Sequence, residues 1–323
     1  MRGEIEEDDN SMKSIVGKLM LGAALIGPTV LAQATAEPVA NLERVNTTKE
    51  MISPKWQNGY FVSFDVPDGG AAPRIYVHDR AGKLIANAVV EIPNAIQTDL
   101  SDAAISQEGE IAVGGGARSS DGKASTFIAW LGKNGLVRTL VRTTPYTARR
   151  LCFADDGSLW ALGFERDVTG METWDYRALR QYSRDGAMVM SALPRSAFPQ
   201  VRGVFANPDF AISGMSPLIY TPRTNEILRV SSADGSVIER RQGPAIGNGE
   251  RVRNIVGIGT SAIIVSIRRT GGGVEVRRSA NDGIGWTPIA RLSSPVIGVD
   301  GKYLVTSNGS PDLSPRFSWI AID

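Results

Sequence analysis

Along residues 37–323 short apolar runs alternate with polar turns, and no segment sustains the 3.6-residue period of an amphipathic helix. The pattern predicts strands throughout and almost no helix. Five segments share one arrangement: a short apolar strand, a polar turn ending in glycine, and a second strand. They span 75–84, 127–140, 179–192, 227–240 and 274–289, with turn glycines Gly82, Gly135, Gly186, Gly235 and Gly283. These glycines lie 53, 51, 49 and 48 residues apart. Glycine is expected there because tight hairpins demand a positive φ.

A second hairpin interleaves with the first. Residues 107–113 match 155–161, and related hairpins fall at 207–212, 259–265 and 300–305. Each repeat therefore holds four strands in roughly 48 residues, the content of a propeller blade. Counting gives six blades in an all-β, six-bladed β-propeller of four-stranded antiparallel sheets. The last residues, 317–323, read as a third strand without a partner. An N-terminal strand within 41–48 is expected to pair with it and close the ring, leaving no open edge.

The hairpins Tyr76-Val77-His78-Asp79-Arg80-Ala81-Gly82-Lys83-Leu84 and Ala154-Asp155-Asp156-Gly157-Ser158-Leu159-Trp160 resemble those of the NHL-like and TolB-like six-bladed propellers. That superfamily includes enzymes, sensors and scaffolds, so the resemblance implies a fold rather than an activity. A local stretch, Ser279-Ala280-Asn281-Asp282-Gly283-Ile284-Gly285-Trp286, resembles the Asp-box of sialidase-like propellers, with Asn281 where that family prefers Asp. The likeness implies a structural turn with Trp286 packed between strands.

The N-terminus reads as a leader. Met12, Lys13 and Lys18 form a basic region, residues 19–32 are mostly apolar, and Ala34-Thr35-Ala36 offers small residues for cleavage. This is a secretory signal pattern, and the apolar run is short of the ~20 residues that span a bilayer. The acidic stretch before Met12 suits neither role, so Met12 is the expected start. Residues 1–36 are read as leader, 37–323 as one exported domain without a stable membrane span, periplasmic or released.

Composition excludes more than it selects. Formal charge is +1, which makes no case for nucleic acid. Cys152 is alone, so no internal disulfide forms, and a lone cysteine on a strand reads as a small buried apolar group. His78 is the single histidine, read as a partly exposed strand residue. A histidine- or cysteine-based zinc site and a serine triad lack their ligands and base. No metal and no cofactor are expected. Quinone-dependent sugar dehydrogenases need a histidine base that His78 is badly placed to supply.

One positive feature remains. Counting back from the turn that follows each innermost strand places Asp102, Arg150, Arg202 and Arg253 at equivalent positions in blades two to five, with Ser294 and Ile52 in the other two. Three guanidinium groups converging on a channel mouth would bind carboxylate or phosphate through paired hydrogen bonds. They point to an anionic small molecule or a protein partner bound without catalysis. Arginine outnumbers lysine 27 to 8, so the same residues also fit a structural plug paired with Asp102, Asp99 or backbone carbonyls. Tyr146, Trp56 and Trp174 would add aromatic walls or ordinary packing. Two further functions stay open: a carbohydrate hydrolase with Asp102 as its acid, and a structural component of an envelope complex.

Overall fold

The computed structural model describes residues 37–41, 52–65, 72–132, 134–199, 201–205, 207–213, 215–258, 262–279, 285–308 and 316–322. The leader, 1–36, lies outside them. Glu37–Asn41 is strand β1. Blade 1 holds β2 (Ile52–Gln57), β3 (Tyr60–Asp65), β4 (Arg74–His78) and β5 (Leu84–Val89). Blade 2 holds β6 (Ala95–Ile105), β7 (Ile111–Ser119), β8 (Ala124–Leu131) and β9 (Val137–Arg142). Blade 3 holds β10 (Tyr146–Phe153), β11 (Leu159–Glu165), β12 (Arg177–Tyr182) and β13 (Met188–Pro194). Blade 4 holds β14 (Asp209–Ser213), β15 (Ser216–Thr221), β16 (Glu226–Val230) and β17 (Val237–Gln242). Blade 5 holds β18 (Arg251–Ile258), β19 (Ala262–Arg268), β20 (Val274–Ser279) and β21 (Trp286–Leu292). Blade 6 holds β22 (Val296–Asp300), β23 (Tyr303–Asn308), β24 (Arg316–Ala321) and, as its fourth strand, β1.

Every blade is a four-stranded antiparallel sheet; blades 1 to 5 run in chain order from inside to outside, and blade 6 runs β22, β23, β24 and then β1. The first strands β2, β6, β10, β14, β18 and β22 each touch the next around a closed circle. The chain is therefore a six-bladed β-propeller. Among the described residues the single helical segment is a 3-10 turn at Arg195–Ala197, and no helix is long and apolar enough to cross a membrane.

The core sits between blades rather than within one. Six apolar clusters fill the six seams, one apiece; Val62, Val77, Val113 and Phe127, for example, join blades 1 and 2. Second strands are covered on both faces, so β11 is apolar almost without a break (Leu-Trp-Ala-Leu-Gly-Phe). Fourth strands such as β17 have one wet face and alternate. The turn glycines do two jobs. Gly135 has φ +81°, and a Cβ there would lie 2.5 Å from the Cβ of Ala88 on the preceding blade's fourth strand. Gly235 repeats this against Ala192.

Two expectations shift. The closing strand is β1 at 37–41, with Val39 opposite Phe317, one segment earlier than the expected 41–48; residues 42–48 lie outside the described residues. Pro38 is tolerated because β1 is the outermost strand of its sheet. In blade 4 the hairpin expected at 207–212 is displaced. Residues 201–205 form a turn whose Val204 and Phe205 are buried in the seam with blade 3, and the inner strand starts after Pro208. A buried Val-Phe pair looks like a strand in sequence, but here it plugs a seam.

Candidate functional site

The inner strands run parallel around the channel, so contacts across seams join residues one repeat apart. Ser101 Oγ donates to Ala148 O at 2.6 Å, and the Leu151 N–H donates to Asp102 Oδ2 at 2.7 Å. Five of the six inner strands carry a bulge, and the residue after it is Lys55, Asp102, Arg150, Asn254 or Gly298. β14 has no bulge and opens on Asp209, which the Ile255 N–H faces as Leu151 faces Asp102. The structural ring is thus Lys55, Asp102, Arg150, Asp209, Asn254 and Gly298. Charge alternates through its first four members.

This ring is largely self-paired. The Lys55 ammonium bonds the Asp102 carboxylate, which is 1% exposed, and also approaches Ala103 O at 3.4 Å. Asp102 Oδ1 has no hydrogen-bond partner among the described residues. Gln57 links three consecutive blades: its Oε1 accepts the Ile105 N–H at 3.2 Å and its Nε2 lies 4.0 Å from Cys152 Sγ. Asn254 Nδ2 donates to Val296 O at 3.0 Å. Burial pushes the Asp209 carboxyl up to about 6, against the opposing pull of the Arg150 charge. Its Oδ1 accepts the Phe210 N–H at 3.0 Å while Oδ2 has no partner.

Of the four residues singled out from sequence, Asp102 and Arg150 share the ring. Arg253 is the bulge residue before Asn254, and it is exposed at the mouth. Arg202 is exposed on the 201–205 turn, its guanidinium 5.3 Å from the Trp174 ring centre. Spacing from sequence misaligns both: Arg253 because a bulge inserts a residue in β18, and Arg202 because residues 201–205 form a turn ahead of β14 rather than its inner strand. It also passed over Lys55 and Asp209.

The arginines nonetheless gather on one face. Each inner strand starts at the same face of the disc, and in every blade the second strand returns there. Arg149 and Arg150 of β10 lie near Arg166 just beyond β11; Arg251 and Arg253 of β18 lie near Arg268 of β19. Burial and like-charged neighbours lower the affinity of Arg149 and Arg253 for their protons. Guanidinium groups stay protonated regardless, so the shift measures a positive charge held at a cost. None of these six, nor Arg202, forms an ion pair among the described residues. Arg180, Arg195, Arg229, Arg240 and Arg269 each hold a glutamate.

Other readings resolve individually. His78 is fully buried in β4, not partly exposed, because Leu84 and the seam cover that strand end. Cys152 is buried, and burial pushes its thiol up to about 12, which removes it as a nucleophile. Residues 280–284 of the Asp-box lie outside the described residues. Ser279 Oγ accepts the Ile263 N–H at 3.0 Å, and Trp286 Nε1 donates to Gln242 O at 3.2 Å. Tyr146 and Trp56 are core residues, whereas Trp174 is 48% exposed. Among the described residues no three His, Cys, Asp or Glu side chains cluster to hold a metal. A surface depression of about 470 Å³ over 91–98 lies at the junction of β5 and β6.

No family model and no curated protein matches the chain. Its fold is similar to that of a protein from Bacteroides fragilis NCTC 9343 described as exported, with TM-score 0.55 and 11% identity over 91% of this chain and 97% of that one. Kuenenia stuttgartiensis hydrazine synthase gives TM-score 0.49 at 12% identity, covering 82% and 76%. A Bacteroides caccae protein of unknown function gives 0.35 at 12%, covering 74% and 94%. At these identities the first likeness speaks to the fold alone.

Proposed function

We propose that this chain is an exported, non-catalytic propeller that binds an anionic ligand or partner on the face where its inner strands begin. One observation carries the reading: seven arginines gather on that face without an ion pair among the described residues, the Glu165, Glu172 and Glu250 carboxylates of the same face being held by Arg180, Arg195 and Arg269. Arg150, Arg202 and Arg253 are its representatives in three successive blades. Asp102 belongs to the floor beneath them, where it holds Lys55 rather than the ligand. Export is supported by the leader pattern of 12–36.

The test is a thermal-shift titration of the domain from Glu37 with citrate, uronates, inorganic phosphate and nucleotides. A concentration-dependent rise that is lost in Arg150→Gln/Arg202→Gln/Arg253→Gln supports the site. A rise retained by that variant moves the ligand elsewhere.

A second reading, a carbohydrate hydrolase, draws on the two ring carboxylates. Asp209 holds its proton to about pH 6, as a general acid must, and Asp102, engaged by a cation, lies two blades away in the same ring. Against it, Asp102 is 1% exposed and Arg150 stands between the two carboxylates in the ring. Turnover of fluorogenic sialosides or glucuronides, abolished by Asp209→Asn, would establish it.

A further inference from the structure

The arginine face also carries apolar residues, and they share one loop. The β11–β12 connection, 166–176, projects from blade 3 between the Arg149 cluster and Arg202. Val168 is fully exposed, Met171 is 55% exposed and Trp174 is 48% exposed. The loop is built, not slack. Asp167 Oδ1 accepts the N–H groups of Thr169 (2.8 Å) and Met171 (3.1 Å), and Gly170 makes the turn with φ +82°. Tyr176 donates to Glu172 at 2.5 Å, the Gly203 N–H donates to Glu172 at 2.6 Å, and Arg195 pairs with Glu172 at 3.3 Å. Trp174 lies on the Arg195 guanidinium, 4.4 Å from the ring centre, and Arg202 adds a second cation. Of the acids in the loop, Asp167 caps the turn and Glu172 anchors the base, while Asp175 is exposed next to Trp174.

A braced turn that holds a valine, a methionine and a tryptophan in water is unfavourable unless something covers them. A soluble polyanion would use the guanidinium groups but leave Val168 and Met171 wet. Cations spread over a disc face with apolar side chains raised beside them, and a tryptophan between, match the layers of an anionic lipid surface. Arginines meet phosphates, the tryptophan lies at headgroup depth, and the apolar tip enters the acyl boundary. We infer that this face docks on an anionic bilayer surface, with the 168–174 loop as its insertion point. The inference rests on the arginine face proposed above and names its partner.

The experiment is co-sedimentation of the domain from Glu37 with phosphatidylcholine vesicles, with and without phosphatidylglycerol. Pelleting only with the anionic lipid, weakened by salt, is expected. Val168→Asp/Met171→Asp alters exposed side chains alone and should abolish it. Arg149→Gln/Arg150→Gln/Arg166→Gln should weaken it roughly a hundred-fold; near-ultraviolet circular dichroism checks its fold. Absence of pelleting at low salt overturns the inference, as does full binding by the Asp pair. Retention on immobilised heparin without vesicle binding would assign the face to a soluble polyanion instead. A small-anion thermal shift without vesicle binding would leave the binding function standing and remove only the lipid.

Discussion

The Asp102 carboxylate accepts the Leu151 backbone N–H at 2.7 Å, across the seam between blades 2 and 3. It also holds the Lys55 ammonium from blade 1, so one buried side chain ties three blades together at the channel. Breaking such a pair leaves a charge and an N–H unsatisfied. Asp102→Ala should therefore cost about 3 kcal/mol or more, read from urea unfolding. Lys55→Met should cost at least as much, because it leaves the Asp102 carboxylate buried without its counter-charge, whereas the lysine left by Asp102→Ala is partly solvated. Lys55→Met combined with Asp102→Asn should cost less than the sum of the singles, since Asn still accepts from Leu151.

Asp209 predicts a pH dependence. Its folded pKa of about 6 exceeds the ordinary 3.8, so the folded state holds the proton more tightly than the unfolded state. Stability should then fall as pH rises between those two values and change little through this group above them. Asp209→Asn keeps an acceptor and removes the ionisation. It should raise the urea midpoint at pH 7 by up to roughly 3 kcal/mol equivalent and leave it unchanged near pH 4. A variant with the wild-type pH profile would rule out this assignment.

Gly135 tests the seam. Alanine there meets both a positive φ and a Cβ of Ala88 at 2.5 Å. Gly135→Ala should destabilise by about 1–3 kcal/mol, and Gly59→Ala by less, since φ there is +85° but nothing lies within 4 Å. Thermal melts of the two variants separate conformational strain from crowding.

Closure tests the ring. Removing 37–41 strips β1 from β24 and bares a strand edge beside Phe317 and Trp319. The shortened domain should melt earlier and self-associate, read by light scattering during a thermal ramp.

The blade repeat could be read from sequence because the outer hairpins of blades 2, 3 and 4 need a glycine for two reasons at once, φ and contact with the blade before. Gly82, Gly135, Gly186 and Gly235 keep their rhythm accordingly. Ring membership could not be read the same way. Bulges before Lys55, Arg150 and Asn254 move the channel position by one without leaving a mark in composition. Blade 4 has no bulge, so Asp209 lay outside the count and Arg202 was drawn into it. Charge pairing was equally hidden. Arg150 and Arg180 look alike in sequence, yet Arg180 holds Glu165 on the neighbouring strand and stacks on Tyr146, while Arg150 has no ion pair among the described residues. The exposure of Trp174 depends on a loop braced by Glu172, a relation no periodicity carries.

The pairing of Val39 with Phe317 sets an order of events. Of the described strands a ribosome makes β1 first, yet its partner is the last to emerge. Until then β1 and the growing end are unmatched edges, and this pairing, the most distant in the fold, cannot form before β24 is made. The molecule thus completes itself in a single terminal step, and a chain halted anywhere short of β24 is left as an open arc, ready to pair with a stranger.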